Sequence, residues 1–251
     1  MSTPDSTTAT LIQRLDAADL LPGAADLRTL SYDLLHLHPG DPVVDVGCGS
    51  GRAVAELAAR ETCPIGIDPS ETMLDAARTR WTALDFRHAT AESLPLPDGS
   101  MTGYRADKVF HELACPTAAL AEARRVLVPG GRIVLLGQDW DAIIIDSDSP
   151  ETTRAIVHAR AATIPNPRAA RQYRTLLLDN DFHDVSIEAR TAVFTDLPML
   201  SLLTGFADAA VTTGAISTAA AAAWITEQSE RAESERLFLA FPIFIAAATR
   251  P

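Results

Sequence analysis

Val43-Val-Asp-Val-Gly-Cys-Gly-Ser-Gly-Arg52 carries glycines at positions 47, 49 and 51 directly after a β-branched run, with the acid Asp45 two residues before the first of them. A turn of this composition lets the main chain press against a ligand with no side chain between them. The spacing narrows the choice of ligand. A dinucleotide fingerprint, G-x-G-x-x-G, puts its third glycine inside the following helix. Gly47 and Gly49 fit, but Arg52 occupies the third position and Gly51 comes one residue early. A phosphate loop, G-x-x-x-x-G-K-[ST], requires a lysine that this stretch lacks. Both phosphate readings are disfavoured.

Other residues have types and places suited to chemistry. Gly66-Ile-Asp-Pro-Ser70 puts Asp68 at the end of a second strand, where a carboxylate can accept both hydroxyls of a ribose; a helix-capping role competes with this. Arg105, at the end of the fourth strand, is a candidate for lining the ligand pocket or meeting an acidic substrate group, against a surface ion pair of little energetic value. His111, with Glu112 next to it, follows that strand by a few residues and is the first candidate for a general base, against a histidine on a helix surface. Trp140 and Asp141 follow the fifth strand and are candidates for substrate contact. Phe194, Leu197, Leu200, Leu203 and Phe206 are candidates for an apolar pocket wall, against ordinary core packing. His36, His38, His88, His158 and His183 show no ligand spacing and receive no role. Cys48, Cys63 and Cys115 form no metal or disulfide pattern, which predicts reduced thiols, no metal and a cytoplasmic protein.

The elements that must position these residues alternate. Strand patterns cover Pro42–Val46, Pro64–Ile67, Leu84–Arg87, Met101–Ala106 and Arg132–Gly137. Helix patterns cover Leu27–Leu37, Gly51–Ala59, the stretch to Arg80 capped by Ser70, and Pro116–Val126. Such alternation predicts a parallel sheet covered on both faces, with ligands at the carboxyl edge of the strands. Beyond it, helices are predicted over Glu151–Ala162, Pro167–Leu178, Pro198–Ala210 and Ser217–Glu235, with strands over Asp184–Thr195 and Arg236–Ala247. A further short helix is predicted around Leu11–Leu20, after a mobile start. The start shows no signal-peptide pattern, and no apolar run is long enough to span a membrane.

The glycine stretch resembles motif I of the class I S-adenosylmethionine-dependent methyltransferases, in which an apolar strand, an acid and G-x-G-x-G follow one another. Asp68 matches the acid at the end of the second strand. Ala89-Thr-Ala-Glu-Ser-Leu-Pro95 is similar to the family's G-D-A-x-x-L-P, with Thr90 in place of the usual acid. Glu122-Ala-Arg-Arg-Val-Leu-Val-Pro-Gly-Gly-Arg132 is similar to its E-x-x-R-V-L-x-P-G-G-R. The resemblance spans about Leu34 to Gly137 and lies nearest the ubiquinone/menaquinone-type, small-molecule branch. It implies a Rossmann-like α/β fold: a seven-stranded mixed sheet in the order 3-2-1-4-5-7-6, strand seven antiparallel, with helices on both faces and a small helical cap. Residues 1–37 would belong to the cap and 38–251 to the core, with a helical insertion at about 196–235. Pro242 would fall in the central last strand, so a bulge or break is expected there. The implied cofactor is S-adenosyl-L-methionine. Its residues would be Asp45, which orders the loop or meets the ligand's ammonium, Gly47, Cys48, Gly49, Asp68, Pro69, Thr90, Ala91, Glu92 and Arg105. Many relatives have a histidine at the position of Glu112.

The implied activity is methyl transfer to a small organic acceptor in secondary metabolism. The alternatives are a same-fold enzyme that uses the cofactor for a non-methylating step such as cyclisation, a nicotinamide-dependent oxidoreductase, and a noncatalytic partner subunit. The 251 residues suit one α/β domain. Their net charge of −12 argues against nucleic acid or an anionic membrane as partner. A homodimer is compatible with this reading.

Overall fold

The β-branched run before the glycines forms β1 (Pro42–Val46), and Val43, Val44 and Val46 are all buried. Burial on both faces is what a central parallel strand requires. The computed structural model describes residues 23–251. The predicted mobile start and the first short helix lie outside them.

On one side of β1 lies β2 (Cys63–Asp68), followed by β3 (Asp85–His88). On the other lies β4 (Met101–Asp107), followed by β5 (Leu127–Gln138). All these pairs are parallel. A final strand, β8 (Leu239–Thr249), runs antiparallel to β5, and β7 (His183–Phe194) pairs antiparallel with its other edge. The expected order therefore holds, with a correction in number. The sheet has eight strands because β6 (Ile144–Ile145) pairs with Leu239 and Ala240. β5 covers β8 only from Ile243 to Thr249, so the next backbone groups of β8 need another partner. β6 supplies it.

The same gap explains Pro242. The expected bulge within β8 is absent, and Pro242 sits in register opposite Thr191 of β7. Its carbonyl accepts from Asp139 N at 3.0 Å, on the edge shared by β5 and β6. A strand residue points its N and C=O to the same edge, so the missing donor falls where the partner lane is interrupted.

Alternation splits the strand side chains between two layers. Val43, Val134, Leu136, Ile245 and Ala247 pack with Tyr32 and Leu35, in and just after α1 (Ala24–Asp33), and with α2 (Arg52–Ala58). Val44, Val46, Tyr104, Ile133 and Leu135 face the opposite layer, α4 (Pro116–Val126) and α6 (Ala169–Asp179). The helix α3 (Glu71–Arg80) packs Leu74 and Ala77 with Phe86. A separate apolar cluster joins α5 (Pro150–Ala162), α7 (Leu200–Thr212) and α8 (Thr218–Glu233) to Leu239 and Phe241 at the start of β8. That cluster lies where β5 ends, close to the carboxyl edge. No helix among the described residues is long and apolar enough to cross a membrane.

Candidate functional site

At the end of β1 the chain turns back on itself through Gly47 and Gly49, both at positive φ (72° and 52°). Gly47 N and Cys48 N donate to Ile67 O at 2.7 and 3.0 Å, which ties the loop to β2. A side chain at Gly47 would run into Val109. One at Gly49 would meet nothing within 4 Å, so this glycine faces open space.

Asp68, the last residue of β2, holds the loop from behind. Its Oδ2 accepts from Gly49 N at 2.9 Å and its Oδ1 from Ser70 N at 2.8 Å. Ser70, not Asp68, caps α3, accepting from Met73 N. A carboxylate has about four acceptor positions, so Asp68 retains capacity for a ligand's hydroxyls. The neighbouring turn is fixed by a residue given no role from sequence: His88 Nε2 lies 2.9 Å from the carbonyl of Pro69. Thr90, exposed, bridges to Ser93 at the end of the same sheet edge, with Ala91 buried and Glu92 half-buried beside it. Glu122 and Arg125 clamp this loop. Glu122 accepts from Leu94 N at 2.9 Å, while Arg125 donates to the carbonyls of Leu94 and Leu96. The E-x-x-R pair thus positions the Thr90–Leu96 segment.

Asp45 and Arg105 meet each other out of solvent. Asp45 accepts from Arg105, while the carboxylate that accepts from a loop N–H is Asp68. Arg105 is no surface ion pair: its side chain is 3% exposed and that of Asp45 2%. Its Nη1 donates to Asp45 Oδ1 at 2.7 Å, Nη2 to Asp107 Oδ2 at 2.9 Å and Nε to Ser31 Oγ at 2.8 Å. The guanidinium also lies over the Tyr32 ring. Burial works against its charge, but Asp45 and Asp107 outweigh burial and hold it protonated. Burial pushes the Asp45 carboxyl up, with Arg105 opposing. For Asp107 burial is outweighed by Lys108 and Arg105, and its pKa falls.

Asp107 leads to a cavity of about 750 Å³ on the same edge, within the roughly 300–1,000 Å³ usual for small-molecule sites. Its floor comes from Leu136, Gln138, Phe241 and Ile243, and its walls from Leu27 and Arg28 of α1, Phe194 of β7, and Leu202 and Phe206 of α7. Of the expected wall, Phe194 and Phe206 are present. Leu203 instead packs into the helical cluster, Leu197 is exposed, and Leu200 is off the wall. Trp140 is on the wall. Asp141 is not; it pairs with Arg168 at 2.7 Å.

His111 sits in the turn between β4 and α4, not on a helix surface. It is buried, its Nε2 is 3.0 Å from Glu112 Oε1, and its ring lies 5.7 Å from that of Trp140. Burial lowers its pKa from the ordinary value, against the pull of Glu112. His111 does not itself line the cavity but lies behind Trp140, which does; a neutral imidazole can take a proton. Sequence reasoning missed Arg160, Asp107, Lys108 and Phe241. An arginine on a helix or a charge after a strand carries no mark of the cavity it faces.

A Rossmann-like sheet with a glycine loop and a strand-end acid defines a nucleoside-cofactor protein. The methyltransferase-domain family profile matches residues 44–135. An uncharacterized 37.1 kDa protein of transposon TN4556 from Streptomyces fradiae is 34% identical over 225 residues, covering 85% of this chain and 65% of that protein. A demethylmenaquinone methyltransferase from Symbiobacterium thermophilum is 35% identical over 111 residues, covering 40% of this chain and 44% of that protein. The chain thus spans less than two thirds of the length of these curated relatives. The crystal structure of geranyl diphosphate C-methyltransferase from Streptomyces coelicolor A3(2) is similar in fold, with a TM-score of 0.56 at 19% identity, covering 90% of this chain and 79% of that one. Residues 44–135 thus match the methyltransferase domain.

Proposed function

We propose that the chain binds S-adenosyl-L-methionine and moves its methyl group to a small organic acceptor. One observation carries this reading. Asp107 both lines the cavity and, through Arg105, is tied to Asp45 beneath the glycine loop. The cofactor loop and the acceptor cavity are thereby neighbours built on one strand edge.

In this reading Gly47, Cys48 and Gly49 meet the cofactor with main chain, and Asp68 takes the ribose hydroxyls. Pro69, Thr90, Ala91 and Glu92 border the adenine. Asp45 and Arg105 act from below, fixing the floor of the loop. The cofactor supplies an activated methyl group. The chain supplies alignment, an effect worth roughly 7–11 kcal/mol in well-oriented systems, and the helices α5, α7 and α8 with α1 exclude water above the cavity. His111 takes the acceptor's proton where the acceptor begins protonated. Small-molecule acceptors of secondary metabolism suit the apolar walls.

The test is incubation with S-adenosylmethionine and a panel of small metabolites, followed by mass analysis. A product heavier by one CH₂, with S-adenosylhomocysteine released, is expected. An isomerised product with the cofactor unconsumed would favour a non-methylating reaction.

A further inference from the structure

The charges around the cavity do not balance. Arg28 pairs with Glu56 at 3.0 Å, and Lys108 with Asp107 at 3.1 Å. Arg160, also on the wall, makes no ion pair among the described residues; its polar contact is the Thr163 hydroxyl. The acid whose charge reaches it, Glu112, is 63% exposed and sits on His111 Nε2. Half-buried, Arg160 stacks its guanidinium 4.8 Å from the centre of the Trp140 ring and 5.9 Å from that of Phe206. Stacking satisfies its faces and leaves its N–H edges available.

A second observation falls on the same wall. Trp140 Nε1 is removed from solvent and has no hydrogen-bond partner among the described residues. Nε1 therefore lies behind the wall surface, and Trp140 offers the cavity its ring and not its donor. At one end of an otherwise apolar space the wall presents a cation with no ion pair among the described residues, seated on an aromatic ring.

We propose that the acceptor is an apolar monocarboxylate, its carboxylate held by Arg160 where the guanidinium stacks on Trp140, and its body lying among Phe194, Leu202, Phe206 and Phe241. This deepens the methyltransferase reading and rests on it for the word acceptor. A single negative charge matches the single unpaired cation. A dianion would need a second, and Arg28 and Lys108 are already paired. The flat guanidinium suits a carboxylate, whose two oxygens it can meet with N–H groups along one edge.

Titration calorimetry with 2-naphthoate, its neutral isostere 2-naphthamide and 2-naphthyl phosphate as a dianion tests this, with S-adenosylhomocysteine titrated in parallel. In the native protein 2-naphthoate should bind at least tenfold more tightly than the amide, and the dianion no more tightly than the carboxylate. Arg160→Gln should abolish the preference for carboxylate over amide while leaving the amide's affinity within about twofold. Equal affinity for acid and amide in the native protein, a preference that survives in Arg160→Gln, or no binding of any probe would overturn the proposal. Absence of S-adenosylhomocysteine binding would instead overturn the methyltransferase reading, whatever the naphthoate result.

Discussion

Arg105 Nη1 lies 2.7 Å from Asp45 Oδ1 with both side chains withdrawn from water, and the same guanidinium reaches Asp107 at the rim of the cavity. A buried pair of this kind is weak as a source of stability but severe to break, because the surviving charge is left without a partner. Arg105→Met is therefore expected to destabilise the chain by about 3–5 kcal/mol in urea unfolding. In Asp45→Asn/Arg105→Met the loss should be smaller than the sum of the two single losses. Additive losses would show that the two side chains do not act together.

The two glycines of the loop should separate fold from ligand. Gly47→Ala meets Val109 and requires φ of 72°, so a loss of about 1–3 kcal/mol in stability is expected. Gly49→Ala meets no atom, so the positive φ alone opposes it. Its effect should fall more on cofactor affinity than on melting temperature. Equal effects of the two variants on both measurements would contradict the assignment of open space in front of Gly49.

His111 sets an acid-side signature. Burial lowers its pKa from 6.5, so the folded chain resists a proton that the unfolded chain accepts. Stability should therefore be lost as pH falls through 6.5, and His111→Gln should flatten that slope. If His111 serves as base, the acid limb of the kcat/KM profile should lie below 6.5 and vanish in the variant, along with most of the rate. An acid limb unchanged in His111→Gln would remove the histidine from the chemistry.

Much of this was legible in the residues. β1 over Pro42–Val46 and α4 over Pro116–Val126 match their predicted ranges, because short β-branched runs and a proline-started helix with Ala119, Leu120 and Ala123 on one face carry their own periods. Strand order came from the family resemblance and holds for the long strands. Ile144-Ile145 was invisible, since two residues have no period. The partners of Arg105 were invisible for another reason: Ser31 and Asp45 stand 74 and 60 residues away, and burial arises only when α1 closes over β4. The Asp68 grip on Gly49 is similarly nonlocal. Arg160 sits on an amphipathic helix, where a charged residue reads as a solvated face until the opposite wall is built.

The central claim is that the loop at Gly47–Gly49 receives a nucleoside whose sugar is held by Asp68. Titration calorimetry with S-adenosylhomocysteine on the native protein and on Asp68→Ala tests it most directly. The expected result is one molecule bound per chain, with affinity falling on the order of 100-fold in the variant, as charge-assisted hydrogen bonds of roughly 1.5–3 kcal/mol each are lost. No binding heat with the native protein, or an affinity unmoved by the loss of Asp68, would contradict the account.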